Sequence, residues 1–320
     1  MRIRSEDQRA ASGARAAFTL IELVVVIAII LVLVAITAAA AGKVLSAQRV
    51  SNTKTIIQKI DAEFQKQYAA AVDNAIAEAN SASLPQSIID MSSVNGVPDL
   101  ARARVIWVKL RLRAEFPSNL SEAISWPSAN WPPQNQNDLP GQSAYGAALN
   151  GTGLYGVSPP ATKEAGICLL LALSIGRRGS VLNRELLGGL TLANAGAPGV
   201  NMIVDGWGTP LAFYRWPINA PFTVSSSTQA IDPLDPTGRL MDPTWNNDTN
   251  FNGSWPNNGV AVFEQLCHSI HTGSGGGYTP LSFNLVPTIA SAGPDRSLGL
   301  DPATMAQVDS TSNDNIYNHQ

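Results

Sequence analysis

Residues 18–42 read FTLIELVVVIAIILVLVAITAAAAG, a run in which Glu22 is the only charge. A helix over 18–41 would be about 36 Å long at ~1.5 Å per residue, enough to cross a hydrocarbon core of ~30 Å. Ahead of it, residues 1–17 (MRIRSEDQRAASGARAA) set Arg2, Arg4, Arg9 and Arg15 against Glu6 and Asp7. The basic side of a span stays cytoplasmic, so the body of the chain is expected to lie outside the cytoplasm. An ordinary secretory signal has a shorter apolar core followed by small residues. The stretch 38–42 mimics such a site, but the polar leader and the acid within the apolar run argue against that reading.

A carboxylate inside a bilayer costs about 2.5–3.5 kcal/mol even on lenient scales, and such groups usually have a partner. If the mature chain starts at Phe18, Glu22 is its fifth residue. The new α-amine of Phe18, in the same or a neighbouring copy, is then a cation of suitable depth. Pairing the two across copies would neutralise both and fix the axial stagger of packed helices. The plainer alternative is a Glu22 that snorkels to the interface.

Beyond Lys43 the helical pattern turns amphipathic. Val50, Ile57, Ile60, Phe64, Tyr68, Ala71 and Ala75 form one apolar stripe, while Lys54, Lys59, Asp61, Glu63, Lys66 and Asp73 lie off it. The stripe predicts a helix to about Asn80 that packs onto the body, with Phe64 and Tyr68 as core. Pro98-Asp99 opens a further helix, LARARVIWVKLRLRAEF, closed by Pro117. Its Arg102, Arg104, Lys109, Arg111 and Arg113 are read as a solvated face, with an acidic neighbour as the rival reading. Trp126-Pro127 and Trp131-Pro132-Pro133 mark a turn-rich loop. A helix over 163–178 containing CLLLALSI is too short to span a membrane and should be buried. Strands are predicted at 211–216 and 281–291, separated by a long Pro/Asp/Asn-rich loop over 218–258. Its Asp232-Pro233-Leu234-Asp235-Pro236 is turn chemistry rather than a catalytic carboxylate pair.

Composition agrees with an extracytoplasmic body. Charged residues make up 14% of the 320, against ~25% in typical domains, and hydrophobic residues 45%. A net charge of −3 gives no electrostatic footprint for nucleic acid. The two cysteines, Cys168 and Cys267, are too few for a disulfide framework. They are either one bridge in an oxidising compartment or two small buried hydrophobes.

Enzyme signatures are poor. Cys267, His268 and His271 lack the second ligand cluster a zinc site needs. Gly273-Ser274-Gly275-Gly276-Gly277 is not followed by Gly-Lys-Ser/Thr, so it is no phosphate cradle. No serine has a nucleophile-elbow context.

Phe18-Thr19-Leu20-Ile21-Glu22-Leu23 with the apolar run behind it resembles the prepilin cleavage and methylation motif of type IV pilins and type II secretion pseudopilins. The resemblance implies cleavage between Ala17 and Phe18 by a prepilin peptidase, N-methylation of Phe18, and assembly with other pilin or pseudopilin subunits through Glu22. Ala17 stands where that family usually has glycine. Asp205-Gly206-Trp207-Gly208-Thr209-Pro210 resembles the turn before the sheet in major pseudopilins. Ser291-Ala292-Gly293-Pro294-Asp295, with Arg296 after it, resembles their C-terminal loop, and Asp314-Asn315-Ile316 its close. That loop binds calcium in the family. By composition, Asp295, Asp301, Asp309 and Asp314 with no Lys or Arg after Arg296 fit a solvated acidic tail equally well. The resemblance implies a calcium site, with Asp301 and Asp314 matching best and Asp295 and Asp309 less closely.

These readings combine into one expectation. The fold is α+β and pilin-like, with a long N-terminal transmembrane and amphipathic helix on a small antiparallel sheet, plus helical and loop insertions. The divisions are a cleaved leader 1–17, a transmembrane half 18–42, an amphipathic half 43–80, an insertion 84–200 and a pseudopilin-like β region 201–320. The expected role is a non-enzymatic, single-pass inner-membrane subunit of a pseudopilus or pilus-like filament, its C-terminal domain periplasmic. The alternative is a binding module that uses the anchor only for retention.

Overall fold

The computed structural model describes residues 19–81, 83–124, 143–149, 161–177, 190–196, 199–218, 232–246, 259–272, 279–280, 286–302 and 304–318. The expected cut at Ala17 and Phe18, the Trp126 and Trp131 loop and the 273–277 glycine run lie outside them. Two compact units emerge, residues 1–48 and 49–320. The stretches 84–200 and 201–320 therefore share one unit.

Helix α1 runs Leu20–Ser81, one residue beyond the end expected near Asn80. Every residue over 19–49 is exposed, including Leu20 at 81% and Ile36 at 61%. An apolar surface of that extent is unstable in water, at roughly 1.5–3 kcal/mol per large side chain left exposed. The helix is long and apolar enough there to cross a membrane, which fits a membrane anchor. Burial begins where the amphipathic stripe begins. Ile56, Ile57, Ile60, Phe64, Ala71 and Ala75 are buried, and Val50 and Tyr68 pack against them.

In the second unit, α1 packs on a three-stranded antiparallel sheet. Its strands are β3 (Ala212–Tyr214), β6 (Thr288–Ser291) and β7 (Ile316–Tyr317), in the order β3-β6-β7. Pairing sets Phe213 opposite Ile289 and Ser291 opposite Ile316. Because side chains alternate along a strand, Phe213, Ile289 and Ile316 face α1. Ala212, Tyr214, Ala290 and Tyr317 pack the other way, against Leu300 and Met305. The ring of Phe64 sits 5.3 Å from that of Phe213 and 5.0 Å from that of Phe116, tying α1, the sheet and α3 together.

The remaining helices are α2 (Gln86–Met91), α3 (Leu100–Glu115), α4 (Leu120–Ile124), α5 (Ser143–Leu149), α6 (Ala161–Ser174), α7 (Pro243–Asn246) and α8 (Gly259–Leu266). Two short antiparallel pairs complete the order: β1 (Leu192–Asn194) with β2 (Asn201–Ile203), and β4 (His271–Thr272) with β5 (Thr279–Pro280). Helix α3 begins where Asp99 accepts a hydrogen bond from Arg102 N, the cap expected of an Asp at that position. α6 is buried, as its apolar run requires, and packs on β2 and β3.

Helix α3 corrects the sequence reading. Its Val108 and Leu112 join the α1 core, while Ala103, Ile106 and Leu110 join a second core with Met91, Trp245 and Phe263. A helix packed on two sides has little room for a solvated face. Arg102, Lys109 and Arg113 are accordingly 1%, 0% and 6% exposed, and only Arg104 of the five is fully at the surface.

Candidate functional site

At the start of α1, Thr19 and Glu22 close on each other. Thr19 N and Thr19 Oγ1 donate to Glu22 Oε2 at 2.9 and 3.0 Å, and Glu22 N donates to Thr19 Oγ1 at 3.3 Å. This is a capping box, which satisfies amides at a helix start that have no intrahelical acceptor. Within one copy, the Glu22 carboxylate therefore already has donors. Its sequence signal is Thr-x-x-Glu ahead of an apolar run, here Thr19 to Glu22.

The three C-terminal motif segments converge. Asp205 Oδ1 accepts from Trp207 N and Thr209 N, and Asp205 Oδ2 accepts from Ser291 Oγ at 2.7 Å. Ser291 Oγ in turn accepts from Gly293 N at 3.1 Å. Gly293 has φ +67°, and a Cβ there would collide with the Asp314 carbonyl. Gly206 serves a different close approach. It donates to Thr53 Oγ1 at 2.9 Å, and a Cβ on it would lie 2.8 Å from the Arg49 carbonyl. The turn is thus clamped onto α1 at Gly206, where there is no space for a side chain.

The C-terminal loop is stapled by its own polar groups. Asp301 Oδ1 accepts from Thr304 N and Oγ1, and Asp309 Oδ1 from Thr311 N and Oγ1. Asn315 Nδ2 donates to Leu298 O at 2.7 Å. Of the four aspartates, Asp295 and Asp314 meet, through Asp295 N and Asp314 Oδ2 at 3.4 Å. No group of three or more His, Cys, Asp or Glu is arranged to hold a metal among the described residues. In the loop as folded, Oδ1 of Asp301 and of Asp309 each serve their own turn.

A buried ionic layer, unforeseen in the sequence, joins α3, α4 and β3. Lys109 Nζ lies 2.5 Å from Asp232 Oδ2, and Arg102 Nη2 lies 2.8 Å from Asp242 Oδ2. Glu122 accepts from Arg215 Nη1 at 2.9 Å, Arg113 Nε at 3.3 Å and Ser118 N at 2.8 Å. Burial pushes the Glu122 carboxyl up, but the Arg215 charge and hydrogen bonds, with Arg113 and Ser118, outweigh it and leave the pKa at about 2. Arg177 spans elements in the same way, donating to Gln67, Glu115 and the Ala172 carbonyl. The Asp232 and Asp235 turn forms as read, with Leu234 N, Arg239 N and Leu240 N as donors, but Asp232 also neutralises Lys109.

Beside this layer lies a cavity of about 600 Å³, lined from β3, α4, α8 and the C-terminal loop. Cys267 and His268 border it. Both cysteines are free thiols in different clusters, Cys168 with Tyr145 and Met202, Cys267 beside Trp216. Burial pushes Cys168 well above the usual thiol range and Cys267 up to about 12, so neither is a thiolate nucleophile near neutral pH.

Residues 13–38 match the family described as prokaryotic N-terminal methylation motif. No curated protein and no solved structure matches the chain. The matched segment contains the Thr19–Glu22 box and the exposed apolar start of α1. That motif, on a long N-terminal helix that packs on a small antiparallel sheet, is consistent with a pilin-like α+β fold.

Proposed function

We propose that this protein is a structural subunit of a pseudopilus or type IV pilus-like filament serving secretion or a surface fibre. The observation that carries the reading is the methylation motif over 13–38 fused to a helix whose first part is wholly exposed and apolar. In this reading a prepilin peptidase cuts after Ala17 and Phe18 is methylated. The chain sits in the inner membrane with residues 49–320 in the periplasm. Glu22 exchanges the donors of its own capping box for the α-amine of a neighbouring copy, which sets the stagger between subunits. Calcium binds in the C-terminal loop, with Asp301 and Asp314 the best-matched ligands and Asp295 and Asp309 the less closely matched.

Mass spectrometry of membrane-extracted protein tests the processing step. A methylated Phe18 at the mature N-terminus is expected, and a terminus near Gly42 or an intact Met1 would overturn the reading. Shearing cells tests the assembly step, since filament subunits appear in the released fraction. The second reading, a tethered binding module, is favoured by the cavity beside β3 and predicts that the protein stays with membranes.

A further inference from the structure

Lys109 of α3 and Asp232 of the turn over 232–235 are 0% and 8% exposed, and Lys109 Nζ lies 2.5 Å from Asp232 Oδ2. That is closer than the ~2.7–2.9 Å of a charged N–H···O bond. Nζ nevertheless makes no hydrogen bond, so its approach to the carboxyl lacks the angle of one. A buried ammonium ordinarily donates to the acceptors around it. An amine pressed against a carboxyl without such a bond calls for another explanation.

Both groups are held in place. Asp232 Oδ1 accepts from Leu234 N at 2.9 Å, and the Asp232 carbonyl accepts from Asp235 N at 2.9 Å, which fixes the carboxyl on its turn. Lys109 projects from a helix packed on two cores, and its Nζ lies 5.6 Å from the centre of the buried Trp216 ring. Cγ is one bond beyond Oδ2, within or close to the ~3–3.5 Å span of an attacking amine. Groups fixed at such a distance react as if at an effective concentration of ~10⁵–10⁸ M. A site that excludes water also favours a condensation that releases it and opposes the reverse hydrolysis.

We propose that Lys109 and Asp232 condense into an intramolecular amide, a covalent modification that ties α3 to the 232–235 turn. Nζ gives one proton to Oδ2 across the short contact and becomes a free amine. Its lone pair attacks Cγ, and the Leu234 N–H already on Oδ1 stabilises the charge that develops there. Nζ passes a second proton to Oδ2, the Cγ–Oδ2 bond breaks, and Oδ2 leaves as water. The third proton stays as the amide N–H. One C–N bond forms, one C–O bond breaks, and no oxidant or cofactor is consumed. Both charges disappear, and with them the desolvation cost of a buried pair. Residues 109–232 become a closed ring that survives unfolding.

Mass spectrometry of the full chain, extracted from membranes in detergent, tests the bond. The expected product of trypsin is a branched peptide, uncut after Lys109, in which residues 105–111 are joined to residues 216–239 with the loss of one water. On a denaturing gel the ringed chain should run ahead of two variants. Lys109→Arg keeps the cation but lacks the amine nucleophile, and Asp232→Ala lacks the carboxyl. Both readouts are taken on unfolded chains, so they do not depend on how well either variant folds. Recovery of residues 105–109 only as a free peptide, cut after an unmodified Lys109, would overturn the proposal and leave a plain ion pair. A branched peptide or a fast-running band that persists in Lys109→Arg would overturn it equally.

Discussion

Replacing Glu122 by alanine would leave the Arg113 and Arg215 guanidinium groups buried without the carboxylate they share. Two routes give the size of the effect. A carboxyl whose pKa falls from 4.5 to about 2 on folding is linked to roughly 3 kcal/mol of stability at neutral pH, at about 1.36 kcal/mol per pKa unit. Removing one partner of a buried ion pair typically costs about 3–5 kcal/mol. The two agree on a loss of about 3–4 kcal/mol. Urea unfolding of the full chain in detergent micelles, followed by tryptophan fluorescence, reads this directly. With a slope of about 3 kcal/mol per molar, the midpoint should fall by roughly 1 M at pH 7. The pH dependence supplies a second check. Because the folded pKa is depressed, the stabilisation is fully present above about 4.5 and is lost as pH falls towards about 2. The gap between wild type and Glu122→Ala should therefore be constant from pH 7 to about 5 and shrink below it. Adding Arg215→Met to Glu122→Ala should recover part of the loss, since it removes one stranded charge. A midpoint within about 0.2 M of wild type at pH 7, or a gap that does not change on acidification, would refute the reasoning.

Gly206→Ala would drive a Cβ to 2.8 Å from the Arg49 carbonyl and 2.9 Å from Thr53 Oγ1, so a destabilisation of about 1–3 kcal/mol is expected in thermal unfolding. The Cys168 thiol should resist Ellman's reagent in the native chain at pH 8 and react on unfolding, because it is fully buried and burial keeps it protonated; rapid native labelling of Cys168 would contradict its packing. Glu22→Ala should leave export and cleavage intact but impair assembly in the shearing assay, with Glu22→Asp the milder variant; normal assembly of Glu22→Ala would remove the intersubunit pair. Calcium should raise the melting temperature relative to chelator, since an ion bound only by the folded loop stabilises it. No response at about 10 mM would remove calcium from the account.

Local rules set much of this protein. An apolar run with a single acid behind a basic leader specifies an anchor by length and solubility alone. The 3.6-residue spacing of Ile57, Ile60, Phe64, Ala71 and Ala75 specifies which face of α1 is buried, and the structure buries those residues. Asp99 before the third helix, and Asp232 and Asp235 in their turn, act through bonds a few residues long, so their roles were legible too. Thr53 and Gln67 lie on the buried side of α1 but are polar, and their partners, Gly206 and Arg177, are remote in the chain.

Only the tertiary structure decided the fate of the basic residues on α3. By composition and spacing they resemble a solvated face, and nothing within a few residues of Lys109 or Arg113 says otherwise. Their acids arrive from elsewhere: Asp232 for Lys109, Asp242 for Arg102, and Glu122 for Arg113 and Arg215. The same holds for Asp205 and Ser291, which sit in separate motifs and share one hydrogen bond. Helix periodicity is a property of the backbone and can be read along the chain. Charge neutralisation is a property of proximity, and proximity between distant residues exists only once the chain has folded.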